Sequence, residues 1–223
     1  MAERELRWMR LDNAAKIYPA AKRRNWSNMF RLSATLRDPV DPAVLQSALD
    51  VTVKRFPSIA VRIRRGMFWY YLEELEKAPE IERDVACPLA HRSFSEIRRC
   101  AFRVLYYENR IAVEYFHALT DGNGGLVFLK TLTAEYLTQR YGVTVTSGDG
   151  VLDRGEEPDD RELEDSFLQN EGPVSKSRRE ATAYMLSGTR EWDGYLNLTT
   201  GILNVPEVLA LARRYQVSLT AFM

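Results

Sequence analysis

The chain of 223 residues has two cysteines, two histidines and no formal net charge, its 31 Lys and Arg residues balancing 31 Asp and Glu. Each shortage excludes something. Cys87 and Cys100 are too few to form a disulfide framework, so reduced thiols and a cytoplasmic location are expected. The charge balance gives no standing attraction to nucleic acid or to an anionic membrane. No apolar run approaches the ~20 residues that span a bilayer, and Met1-Ala-Glu-Arg-Glu lacks the apolar region of a signal peptide. The histidines, His91 and His117, lie 26 residues apart with no Cys or carboxylate at ligand spacing, which gives little support for a metal site. His91 reads as a loop residue.

What is present is a composition of 45% hydrophobic and 28% charged residues, that of a soluble globular protein. A chain of this length buries roughly 70% of its unfolded surface and holds one large domain or two small ones.

The first 24 residues mix Trp8, Met9 and Leu11 with many basic side chains and are assigned no element. Trp26 to Leu36 has the alternation of a strand. Asp41-Pro42 is a helix start, with an N-cap followed by proline, and Val44, Leu45, Ala48, Leu49, Thr52 and Phe56 form the apolar stripe that Pro57 ends. Ile59 to Arg65 and the aromatic-rich Met67 to Leu75 are two strands of a hairpin turning at Arg65-Gly66. Residues 77–95 read as loop with a short strand near 81–85. Phe102 to Tyr107 and Arg110 to Phe116 form a second hairpin, turning at Glu108-Asn109.

That hairpin delivers the residues of most chemical interest. Ile111, Val113 and Tyr115 alternate with Ala112, Glu114 and Phe116, and His117 falls on the side of Ile111, so its side chain is expected to point inward. Gly122, Gly124 and Gly125 break the strand, after which Leu126, Leu129, Leu132, Thr133 and Tyr136 return at helical spacing behind a cap at Thr120 or Asp121. An imidazole at the end of a rigid element can take a proton at neutral pH, its unperturbed pKa being ~6.5. Asp121 could orient it, complement the helix dipole or pair with a distant arginine. Gly122 would let a substrate or another backbone come close. The plain alternative is a hydrogen-bonded core histidine followed by ordinary Asp-Gly turn chemistry.

His117-Ala-Leu-Thr-Asp121-Gly122, or HxxxDG, resembles the active-site signature of the chloramphenicol acetyltransferase-like superfamily, which includes alcohol O-acetyltransferases, plant-type acyl-CoA acyltransferases and condensation domains of nonribosomal peptide synthetases. In those families too the motif follows a strand and opens a helix, after a strand, a helix and a strand hairpin. The resemblance implies an α+β, two-layer α/β sandwich with a mixed β-sheet covered by helices, of which this chain holds the N-terminal half. It implies His117 as general base, Asp121 as a structural residue held by a salt bridge to an arginine, and Gly122 as the residue that keeps the substrate channel open. Arg62 and Arg64 are candidate partners for Asp121, or simply the wet face of their strand. Condensation domains usually carry a second histidine where this chain has Phe116, which favours free acyl-CoA as co-substrate over carrier-bound thioesters. Glycerolipid acyltransferases have four residues between His and Asp, against three here, and are set aside.

The expected reaction is therefore O- or N-acyl transfer from acyl-CoA to a small alcohol or amine, with no permanently bound cofactor, no nucleophilic Ser or Cys and no covalent acyl-enzyme. The alternatives are a non-catalytic binding module of the same fold and a condensation-type domain. Lys22-Arg23-Arg24 could meet the phosphates of coenzyme A, although three basic residues in a row are common on solvated faces. Between Asp149 and Asp165 nine of 17 residues are acidic. That stretch reads as a solvated excursion with a short helix near 162–168, either a crossover or lid over the site or a plain linker. Strand character returns around Tyr195 to Leu198. Asn204-Val-Pro-Glu207 then opens a helix, and Ser218 begins another apolar element. The expected layout is an acetyltransferase-like unit at 1–145, a crossover or linker at 146–185 and the start of a second half at 186–223, completed by a missing C-terminal half or by self-association.

Overall fold

The computed structural model describes residues 6–21, 28–165, 172, 182, 184, 185, 187–189 and 198–223. In order the elements are β1 (Trp8–Arg10), α1 (Ile17–Ala20), β2 (Met29–Thr35), α2 (Pro42–Arg55), β3 (Val61–Arg65), β4 (Tyr70–Glu74), β5 (Glu82–Arg83), α3 (Phe94–Arg99), β6 (Phe102–Tyr107), β7 (Arg110–Phe116) and α4 (Gly122–Tyr141). A 3-10 turn at Asp160–Leu163 and helices at Val205–Arg214 and Leu219–Phe222 follow. Lys22-Arg23-Arg24, Pro173 to Arg179 and Tyr195 to Asn197 lie outside the described residues.

The result is the expected mixed α+β architecture. One sheet is mixed, ordered β2-β7-β6-β5 with β5 parallel to β6, and the other is antiparallel, ordered β1-β4-β3. They meet at Ala101, whose N–H donates to Val61 O and whose carbonyl accepts from Phe116 N at 2.8 Å. Strand β7 is central to the larger sheet and buried from Ile111 to Phe116.

The period of two sorts its side chains. Ile111, Val113 and Tyr115 join Phe102, Val104, Leu45, Leu49, Phe128 and Leu132 in the main core, beneath α2 and α4. Phe116 turns the other way, into a second core with Val61, Ile63, Leu72 and Ile97 under the smaller sheet. Within α4 Leu126 is exposed, and Phe128 takes the core position instead.

Glu114, on the opposite face from Val113, is 1% exposed and faces Arg31 of β2 and Arg103 of β6 in register. Its carboxylate accepts from Arg31 Nη1 at 3.1 Å, Arg103 Nε at 2.7 Å and Leu89 N at 2.9 Å. Asp84, just past β5, takes Arg31 from the other side and Arg110 Nη2 at 2.9 Å. Burial alone would raise the Asp84 carboxyl; the guanidiniums of Arg31 and Arg110 overcome it and hold the group below the usual carboxylate range.

Several corrections concern the chain reading. β1, α1 and α3 were not expected; α3 begins with a capping box in which Ser93 and Glu96 bond reciprocally. The first hairpin turns over Gly66 to Trp69 rather than at Arg65-Gly66, so strand β4 starts only at Tyr70. The three glycines after His117 do not break the strand, which ends at Phe116; they form the first turn of α4. The acidic stretch is tied down rather than freely solvated. Leu152 N donates to Thr131 Oγ1 at 3.0 Å, Arg154 Nε meets Glu135 at 3.0 Å, and Glu162 forms two bonds of 2.7 Å with the buried Arg55. The short helix expected near 162–168 is instead the 3-10 turn at Asp160–Leu163, and residues 166–168 lie outside the description.

Glu114→Ala strands Arg31 and Arg103 in the sheet without their shared carboxylate and should cost about 3–5 kcal/mol, read as a shift in the urea midpoint. For Asp84 the folded carboxyl is depressed, so its stabilisation is complete above the unfolded value of about 3.9 and is lost as pH falls through the lower folded value. Asp84→Asn should therefore unfold more readily at neutral pH than the native chain yet show a shallower loss of stability below about pH 4, measured by urea titration at several pH values.

Candidate functional site

His117 is held at the point where β7 leaves both cores. Its N–H donates to Asn28 O at 2.9 Å, which adds one rung to the β2–β7 ladder. Asn28 has a positive φ of 53°, a conformation asparagine tolerates, and its side chain donates to Tyr18 O at 3.1 Å. That bond fixes α1 beside the histidine. The imidazole is half-buried and lies flat on the Tyr18 ring, with centroids 4.6 Å apart and planes 7° from parallel. Phe30 packs at 4.9 Å and 54° and also contacts Tyr115 at 5.1 Å. The ring thus lies on the Tyr115 side of the strand, the side that the alternation gives, but half-open rather than enclosed.

No described residue hydrogen-bonds the imidazole nitrogens. Tyr18 stacked on the ring and Phe30 tilted against it orient the imidazole without engaging its nitrogens.

The turn after it is fastened from below. Tyr115 Oη donates to Gly125 O at 2.8 Å, and burial pushes the Tyr115 phenol well up, so it stays a neutral donor. A Cβ on Gly125 would meet Phe30, Tyr115 and Leu32 at 3.2–3.3 Å, so the absent side chain lets α4 seat on the sheet. Around Gly122 a Cβ would meet nothing within 4 Å. No neighbouring backbone approaches Gly122; the tight places are Gly125 against the sheet and Gly124, where a Cβ would collide with Thr120 Oγ1.

Asp121 takes the capping place that the spacing allowed, and not the arginine bridge that the resemblance implied. It is exposed and caps α4, its Oδ1 accepting from Gly124 N at 2.8 Å, and it makes no ion pair with a described residue. Arg62 and Arg64 both bind Glu73 across the β3–β4 hairpin. A carboxylate at an N-cap satisfies an orphan N–H and complements the helix dipole, which needs no arginine.

Phe116, taken above as a marker of donor class, is fully buried and packs on Phe94 with centroids 6.5 Å apart. It lies in the second core, whereas His117 sits at the border, between Tyr18 of the second core and Phe30 of the first. His91 is an exposed loop residue. A cleft of about 450 Å³ borders the turn on its other flank, lined by Leu11, Ile59, Leu119, Thr120 and Gly124 and by Leu152, Glu162 and Leu163 of the acidic stretch. His117 does not line it.

Tyr18, Asn28, Phe30 and Gly125 were missed in the sequence. Phe30 carried a strand signal but none for a histidine contact, and Tyr18 reaches the site only through the tertiary bond from Asn28.

No protein-family model matches the sequence, and no curated protein matches it. Among solved structures, the X-domain in complex with OxyB from teicoplanin biosynthesis is similar with a TM-score of 0.51 at 17% identity, covering 66% of this chain and 36% of that one. SgcC5 from Streptomyces globisporus gives 0.46 at 14% identity, over 63% of this chain and 39% of that one. The first condensation domain of the calcium-dependent antibiotic synthetase gives 0.45 at 16%, over 63% and 40%. The likeness to the X-domain shows a shared mixed α+β fold. This chain spans 36–40% of the length of these three proteins.

Asp121→Ala should cost about 1 kcal/mol, the worth of an N-cap, and Asp121→Asn much less. Thermal melts of the two variants check this; a loss of about 3 kcal/mol or more for both would restore the buried ion pair.

Proposed function

We propose that this chain supplies the histidine-bearing part of a condensation-type acyl-transfer site, with His117 as general base. The observation that carries the reading is the His117 ring itself, stacked on Tyr18 and met at a tilt by Phe30 at the end of a buried strand, with neither nitrogen bonded to a described residue.

In this reading Nε2 takes the proton of an amine or hydroxyl as that nucleophile attacks the carbonyl of an acyl thioester. The new C–N or C–O bond forms, the C–S bond breaks, and the proton passes from the imidazolium to the departing thiolate. Such a base is worth roughly 10²–10⁴ in rate. Gly122, with open space where a side chain would stand, leaves the approach to the turn clear. Asp121 acts through the helix it caps and touches no substrate. The donor is a pantetheine thioester, presented either by coenzyme A or by a carrier protein, since Phe116 faces away and favours neither. Because the chain spans 36% of the X-domain chain, further polypeptide is proposed to close the site opposite His117.

A second reading is a module that holds a partner protein without catalysing transfer. It is favoured by the X-domain, whose structure is that of a complex with OxyB.

The test is acceptor-dependent thiol release from acetyl-CoA and from an acyl-loaded carrier domain, with amines and alcohols as acceptors. His117→Ala should lower release by roughly 10²–10⁴ with an unchanged melting temperature. Equal rates in both proteins would remove His117 from the chemistry, and no release from either donor even when the polypeptide that closes the site is supplied would leave the partner-holding reading.

A further inference from the structure

The zero net charge conceals an uneven surface. The turn between β3 and β4 carries Met67, Phe68 and Trp69, exposed by 85%, 81% and 62%. Three consecutive large apolar side chains are thus held in water at the tip of a hairpin, which Gly66 N closes by donating to Trp69 O at 2.7 Å. The two rings are 6.2 Å apart and shield little of each other. Neither core uses these residues.

Behind the tip lies a cationic shoulder. Strand β3 is an edge strand, and α3 runs beside it, with Arg98 Nε donating to Ile63 O at 3.4 Å. The groove between them, about 590 Å³, is lined by Arg62, Arg64, Arg98 and Arg99 with Ser95 and Ile63, and by no carboxylate. Exposed Arg65 stands next to the tip. Glu73 is bound to Arg62 and Arg64, and Glu96 is committed to Ser93 at the far end of α3, so arginine is left in excess.

We infer that the β3–β4 hairpin docks this protein on an anionic bilayer surface, Met67, Phe68 and Trp69 entering the headgroup layer while the arginines behind them meet lipid phosphates. The inference is independent of any role for His117. An apolar point backed by cations matches the order in which a bilayer presents its own groups, charge outside and hydrocarbon within. Tryptophan is the side chain most at home at that boundary. A nucleic acid would use the arginines but leave the methionine and phenylalanine in water, and a globular acidic protein would need a broad flat face rather than a tip.

The experiment is co-sedimentation of the whole chain with vesicles of phosphatidylcholine alone and with phosphatidylserine added. The native chain should pellet with the anionic vesicles only and be released as salt rises. The pair Phe68→Ser and Trp69→Ser should abolish binding. Arg98→Gln and Arg99→Gln should each lower the partition coefficient about fivefold. All four positions are exposed or point away from both cores, and far-UV circular dichroism checks that the variants are folded. Trp69→Phe provides an independent measure: binding should persist while quenching of tryptophan emission by brominated lipid falls. Native chain that stays in the supernatant with anionic vesicles overturns the inference, as does unchanged pelleting of the tip pair. Retention on a single-stranded oligonucleotide or on polyglutamate through the same arginines, without pelleting, would reassign the surface to a soluble polyanion and overturn it equally.

Discussion

The larger sheet depends on a carboxylate buried where no apolar side chain would pull it. Glu114 would be too costly to desolvate alone, and only one register of β2, β7 and β6 sets Arg31 and Arg103 directly across from it. A slip of one residue would turn Glu114 into the apolar core and bring Val113 among the arginines. The pairing therefore fixes the strand three residues before His117. It also draws in the 85–92 loop, through Leu89 N and the neighbouring Asp84, and so covers a sheet face that would otherwise be bare.

From that fixed strand the site follows by alternation. Tyr115 goes to one core and Phe116 to the other, so the residue after them emerges at the border between the two. Position and orientation have separate sources: the ladder places His117, while Tyr18 and Phe30 turn its ring. The second source is of long range in sequence, and it brings the N-terminal segment into the site.

Local signals were legible. The period of two in 111–116, the Asp41-Pro42 helix start and the Asn204 cap each act within a few residues and were read correctly. The Ser93–Glu96 capping box was equally local and had the same kind of signature, but its helix is short and lies in a stretch dense with charge and proline. β1 has three residues and no alternation to show, and it exists because β4 offers it an edge. Pairings between distant charges were not legible: nothing in the sequence assigns Glu73 rather than Asp121 to Arg62 and Arg64, or Glu162 to Arg55. Nor does a run of glycines say which of them faces a neighbour, and here the packing demand falls on Gly125. His117 was singled out from the sequence for its chemistry, whereas the aromatic rings packed against it were not.

The seam at Ala101 has a mechanical meaning. One residue donates to the small sheet and accepts from the end of β7, so the two layers share a joint and not a continuous ladder. The joint is backed by side chains, since Phe116 at the end of β7 shares the second core with Val61, Ile63 and Leu72. Peeling β3 and β4 away would therefore uncover the residue that precedes His117, and the small sheet serves as a lid on the strand that carries the histidine.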